Sequence, residues 1–296
     1  MDRDAIERAV RHPLFPARVV LLSIGGLLLG AVLAATWQVA ARADPVVRLS
    51  LDEATDTQMP AISAARSADA EAPLIVLDPG HGGFDPGASA GSQVVEKDIA
   101  LAIAKALRDR LLALGGVRVA LTRHDDSYLP LAERVAIAEA LEADLFVSIH
   151  ADSLPEGEAR GSNIYTLSLT ASDREAGRLA RALNAGDSGE GNPLSQSGEV
   201  EEMLADLTRR RIALASADVA SALSGRVEGA FPVHAPLRRS GDFVVLRSSQ
   251  MPSILFEAGY ISDPDDAARL SREEGQQAIA DALAEGLVAA LLAPRG

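Results

Sequence analysis

The chain has 296 residues, no cysteine and a formal net charge of -14 at pH 7. So acidic a balance argues against a nucleic-acid partner, because neutralising phosphates needs a basic face. Without thiols there is neither a disulfide framework nor a thiolate metal site, so any metal must be held by histidine and carboxylate.

Arg3, Arg8, Arg11 and Arg18 precede an uncharged stretch over residues 19–41, and Ala41-Arg42-Ala43 follows as a small-x-small sequence. This pattern predicts a signal peptide over residues 1–43 cut after Ala43, with an uncleaved inner-membrane anchor as the competing reading. Residues 44–73, rich in Ala, Ser, Asp and Pro, read as a flexible linker. The folded part is expected over residues 74–292.

It opens on LIVLDPGHGGFDPGASAGSQVVE, residues 74–96. The apolar run at its start reads as a buried strand and the glycine-rich stretch as a tight loop around His81, with Glu96 fifteen residues further on. Ile99, Ile103, Leu107 and Leu111 recur at helical spacing up to Gly115-Gly116. Residues 117–122 form a second predicted strand, 131–142 a helix, and 145–149 a third strand ending at His150. Residues 161–169 contain a fourth strand and 172–184 a helix. Residues 186–200 read as an inserted loop, followed by an amphipathic helix with Met203, Leu207, Leu214 and Val219 on one face. Short strands are expected over 243–246 and 253–256, the latter ending at Glu257, and a last helix over 271–292.

Strands alternating with long helices predict an α/β fold, a mostly parallel twisted sheet flanked by helices on both faces. In such sheets ligands gather at the carboxyl ends of the strands, which is where His81, His150 and Glu257 fall. His81, Glu96 and His150 make a His2Glu set suited to one Zn2+ with an open position, and Glu257 is the candidate for moving a proton. Each residue has a plainer role: His81 as a turn residue, Glu96 as a partner of a helix dipole, His150 as a capped strand end, Glu257 paired with an arginine. Their joint placement favours the metal site. His124 and His234 lack such context and read as surface or structural.

GHGGFDPGA (80–88), Glu96-Lys97, LTRHDDSYLPLAERVAIA (121–138), ADLFVSIHAD (143–152) and MPSILFEAGYISD (251–263) together resemble the zinc-dependent N-acetylmuramoyl-L-alanine amidases of the bacterial cell wall. The resemblance covers nearly all of 74–292 and carries the family's zinc ligands onto His81, Glu96 and His150 and its catalytic glutamate onto Glu257. It implies hydrolysis of the amide between N-acetylmuramic acid and L-alanine of peptidoglycan, in cell-wall remodelling and daughter-cell separation, by a periplasmic protein. It also implies an activator protein that relieves inhibition by the 187–206 segment, through Glu190, Glu199, Glu201 or Glu202. A zinc peptidase acting within the stem peptide, or a catalytically silent peptidoglycan-binding protein, are the alternatives. The glycines of the opening loop, Gly82 among them, are expected to leave room for metal, water and glycopeptide above His81.

Overall fold

The computed structural model describes residues 60–64, 71–90, 94–154, 159–185 and 199–292. The predicted signal or anchor segment lies outside the described residues. Residues 59–296 make up one unit. Among the described helices none is long and apolar enough to cross a membrane.

The unit is built on a seven-stranded sheet. Its strands are β1 (Ser63–Ala64), β2 (Leu74–Pro79), β5 (Arg118–Leu121), β6 (Leu145–His150), β7 (Ser162–Leu167), β8 (Val233–Gly241) and β9 (Ser253–Glu257). Two-residue strands β3 (Ser89–Ala90) and β4 (Val94–Val95) pair separately. The helices are α1 (Glu96–Leu114), α2 (Leu131–Ala140), α3 (Arg174–Ala185), α4 (Glu199–Ala230), α5 (Pro264–Leu270) and α6 (Glu273–Leu292). The sheet runs in the order β1-β5-β2-β6-β9-β7-β8. β5, β2, β6 and β9 are mutually parallel, as the βαβ pattern predicts. β7 runs antiparallel to β9, and β8 follows β7 in parallel. The amino ends of β7 and β8 therefore meet the carboxyl end of β9.

β2 and β6 are buried at every position, as expected for strands covered on both sides. Ile75, Leu77, Val147, Ile149, Ile254 and Phe256 pack toward one face, in a cluster with Ile103 and Leu107 of α1, Leu223 and Val227 of α4, and Leu283 and Leu287 of α6. Leu74, Val76, Phe146 and Leu255 face the other way, against Ala138 of α2 and Ala176, Leu179 and Ala180 of α3.

Five expectations change. Residues 243–246 are no strand; Val244–Leu246 form a 3-10 turn whose Val245 and Leu246 join the second core cluster. β8 was not expected, because VHAPLRRSG has no apolar alternation. It forms because β7 offers a free edge, and a sheet margin tolerates proline. The last predicted helix is present as α6, but the short helix α5 before it was not expected; Ser271–Arg272 separate the two. On α4, Val219 is buried but Leu207 and Leu214 are exposed, because the helix meets the sheet only from about Ser216 onward. Two residues of the stretch read as linker, Ser63–Ala64, pair with β5.

Candidate metal centre

β2 ends in Pro79, and Gly80 N donates to Ile149 O on β6 at 2.9 Å, which puts the glycine-rich loop beside His150. His150 and Glu257, the last residues of adjacent parallel strands, are direct register partners. Glu96 opens α1, where the helix amino end favours an acid. The dipole role read for Glu96 is thus real, and its side chain also turns inward between the two histidines. Donor atoms of His81, Glu96 and His150 all lie within 4.8 Å of one another, the one such cluster of three among the described residues.

His81 Nε2 is 3.2 Å from Glu96 Oε2, and His150 Nδ1 is 3.0 Å from Glu96 Oε1. Ligands around a tetrahedral zinc, at about 2.0–2.2 Å from the ion, sit roughly 3.3 Å apart. The residues fit such an ion on a second count as well. His81 Nε2 is buried without a hydrogen-bond partner, while Nδ1 meets Asp85 Oδ2 at 2.7 Å. The carboxylate accepts a hydrogen bond from Nδ1–H and leaves the Nε2 lone pair facing the cluster, the usual outer support of a metal-bound histidine.

The backbone is shaped around the same atoms. His81 has a φ of 59°, a conformation rare for a residue with a side chain. It is held by Arg134, whose Nη2 donates to His81 O at 2.8 Å, and by Arg123, whose Nη2 donates to Gly80 O at 2.7 Å. Arg134 is itself paired with Asp78, buried beside Thr122 and Ser148. A side chain at Gly80 would run into the His150 ring, and one at Gly82 into Ser127 O. The room these glycines leave is therefore filled by the protein's own imidazole and loop, not by a glycopeptide.

Charge is concentrated here. Burial would depress His81, but the neighbouring carboxylates of Glu96 and Asp85 carry it up to about 9. Burial lowers His150 below its ordinary value despite Glu96. Glu96, though buried, is held far below the carboxylate range by the two histidines. Burial and the carboxylates of Asp152 and Glu96 raise Glu257 well above its ordinary value, and burial together with Glu96 lifts Asp152 to about 7. A cation among these groups would relieve that crowding of negative charge. Asp152 N donates to Glu257 Oε2 at 3.1 Å, whereas Oε1 is buried with no partner.

All four predicted site residues thus meet at one sheet edge. Asp85, Asp152 and the arginine pair were missed, although a carboxylate four residues after His81 was a readable cue. His124 is exposed beside Asp125, and His234 binds Glu175 and lies edge-on to Tyr260, so neither joins the cluster. Of the 187–206 segment, residues 187–198 lie outside the described residues. Residues 199–206 begin α4, about 15 Å or more beyond Ser216 along the helix. Ser216 accepts from Ser253 N at the start of β9, the edge opposite His150 and Glu257. That arrangement puts the backbone of the first turn of α4 on the side of the sheet opposite the cluster.

Residues 75–289 match the model of the N-acetylmuramoyl-L-alanine amidase family. The chain is 34% identical over 223 residues to N-acetylmuramoyl-L-alanine amidase AmiC of Neisseria meningitidis, which covers 75% of this chain and 53% of that protein. It is 35% identical over 217 residues to AmiA of Escherichia coli, covering 73% of this chain and 75% of that one. It thus spans about half the length of the AmiC relative. Among solved structures, AmiC2 of Nostoc punctiforme is 29% identical, with a TM-score of 0.52 over 73% of this chain and 95% of that one. The N-acetylmuramoyl-L-alanine amidase of Clostridium difficile 630 is 25% identical, with a TM-score of 0.52 over 76% and 99%. With the family's model matched from the first long strand to the last helix, the chain belongs to the N-acetylmuramoyl-L-alanine amidases.

Proposed function

We propose that the chain hydrolyses the amide joining the lactyl group of N-acetylmuramic acid to L-alanine of the peptidoglycan stem peptide, with zinc held by His81, Glu96 and His150. One observation carries this reading: three converging donors stand beside a buried carboxylate oxygen of Glu257 that has no partner, in a chain of this family. Zinc there supplies a Lewis acid that makes water more acidic and polarises a carbonyl. Glu257 Oε1 takes the proton of the attacking water and delivers it to the departing nitrogen. The C–O bond forms as the C–N bond breaks, leaving a lactyl carboxylate and the free amine of alanine. The Asp152 N–H holds Oε2 so that Oε1 stays available, and the raised affinity of Glu257 for a proton suits a group that carries one between two oxygen and nitrogen partners.

The substrate lies outside the cytoplasm. The chain is accordingly read as exported to the periplasm, with residues 1–43 a signal cut after Ala43 in preference to an inner-membrane anchor, 44–73 a linker and 74–292 the catalytic domain. Its place is wall remodelling and daughter-cell separation. An activator protein remains part of this reading, acting through the stretch before α4. Digestion of purified sacculi with mass analysis tests the reaction. Peptides headed by free L-alanine and peptide-free glycan are expected, whereas cuts only within the stem peptide would overturn it. Glu257→Gln should retain the cation and lose about 10²–10⁴-fold in rate.

A further inference from the structure

Phe84 is 79% exposed, three residues from His81, at the tip of the loop that carries the first metal donor. A large ring in water is ordinary by itself. This one is braced. Gly82 and Asp85 exchange backbone hydrogen bonds of 3.0 and 3.1 Å beneath it. Gly83 N donates to Asp126 Oδ1 at 2.9 Å, and Lys97 Nζ donates both to Gly83 O at 2.8 Å and to Asp126 Oδ2 at 2.7 Å. The ring itself leans on Tyr128, with centroids 4.2 Å apart and planes at 34°. Tyr128 in turn lines the cavity that His81 and His150 border. The aromatic pair is therefore continuous with the metal centre and already ordered before any ligand arrives, which lowers the entropic cost of binding.

We propose that Phe84, braced on Tyr128, is a stacking platform for a sugar ring of the glycan strand that carries the cleaved amide. The electron-rich face of an aromatic ring suits the C–H-lined face of a pyranose. The Asp126 carboxylate at its margin offers an acceptor for sugar hydroxyls. This assignment rests on the reading of the site as a muramyl amidase, and deepens it by naming where the sugar half of the substrate lies.

The test pairs turnover with direct binding. Phe84→Ala, Phe84→Leu and Phe84→Trp are compared with wild type for cation content, KM and kcat on sacculi, and equilibrium binding of soluble peptide-free glycan strands. Phe84→Ala and Phe84→Leu should raise KM and weaken glycan binding roughly tenfold, with Phe84→Trp restoring both and cation content constant. Leucine keeps the apolar bulk but not the ring face, so its failure separates stacking from mere burial. Unchanged KM and glycan binding in Phe84→Ala would overturn the platform, as would a loss confined to competition by free stem peptide. Should wild type bind glycan in a Phe84-dependent way yet release no stem peptide, the amidase reading would fall while the platform stood.

Discussion

Asp85 shows how much of the site rests on one unligated side chain. Its carboxylate holds the Nδ1 side of His81 and so presents Nε2 to Glu96 and His150. Replacing such an outer partner typically weakens metal affinity by about 10–100-fold. Asp85→Ala should lose zinc at that scale in a competition titration, with its circular dichroism unchanged. Gly80 acts by absence. A methyl group there meets the His150 ring from the β2 side, and the strand pairing through Gly80 N leaves it little room to retreat. Gly80→Ala should therefore bind substoichiometric zinc and lose activity while keeping its secondary structure. Full zinc occupancy in that variant would show that the imidazole can swing aside. His81, Glu96, His150 and Glu257 could be read from the sequence because ligand chemistry and strand ends point to the same positions. Asp85 left a cue in its spacing from His81, but neither it nor Asp152 could be given a role, since an acid in a loop acquires meaning only from what it touches.

Between elements, the pairing of β2 with α2 supports the loop. Burial by itself would raise Asp78, but the Arg134 charge and the bonds from Thr122, Ser148 and Arg134 hold it below the usual carboxylate range. With its folded pKa below the unfolded one, Asp78 stabilises the fold above the unfolded value, and that contribution is lost as pH falls through the folded value. Thermal melts should thus steepen in their decline below about pH 4. Arg134→Met leaves the carboxylate buried without its counter-charge, bonded only by the Thr122 and Ser148 hydroxyls, at a cost of about 3–5 kcal/mol. Its folded pKa then lies above the unfolded one, so the sign reverses and the variant should melt higher at pH 5 than at pH 8. A pH dependence identical to wild type would remove Arg134 from this role. Elements with strong periodicity, such as α1 and β6, were plain in the sequence. β8 and the 3-10 turn at 244–246 were not: the first owes its strand to a neighbour's edge, and a four-residue apolar run does not by itself distinguish strand from turn.

For the whole molecule, the candidate metal donors come from the loop after β2, from α1 and from β6, with Glu257 of β9 beside them, so binding of the proposed ion should be felt as global stability. An ion present at a hundred times its dissociation constant stabilises by about 2.7 kcal/mol, worth roughly 5–10 °C in a domain of this size. A chelator should lower Tm by that amount and zinc restore it; a Tm indifferent to chelation would count against a bound metal in the folded protein. From the sequence by itself came the α/β class, the parallel core of the sheet, the family and the four candidate residues that the fold brings together, because apolar periodicity and motif spacing are local properties of the chain. Only the tertiary structure decided that β7 and β8 reverse direction, that α4 starts from the far edge, and that the loop's glycines serve His150 and Ser127. It also decided that Phe84 stands braced in solvent beside the histidines. Each of these depends on which segments become neighbours, and no local pattern along the chain encodes that.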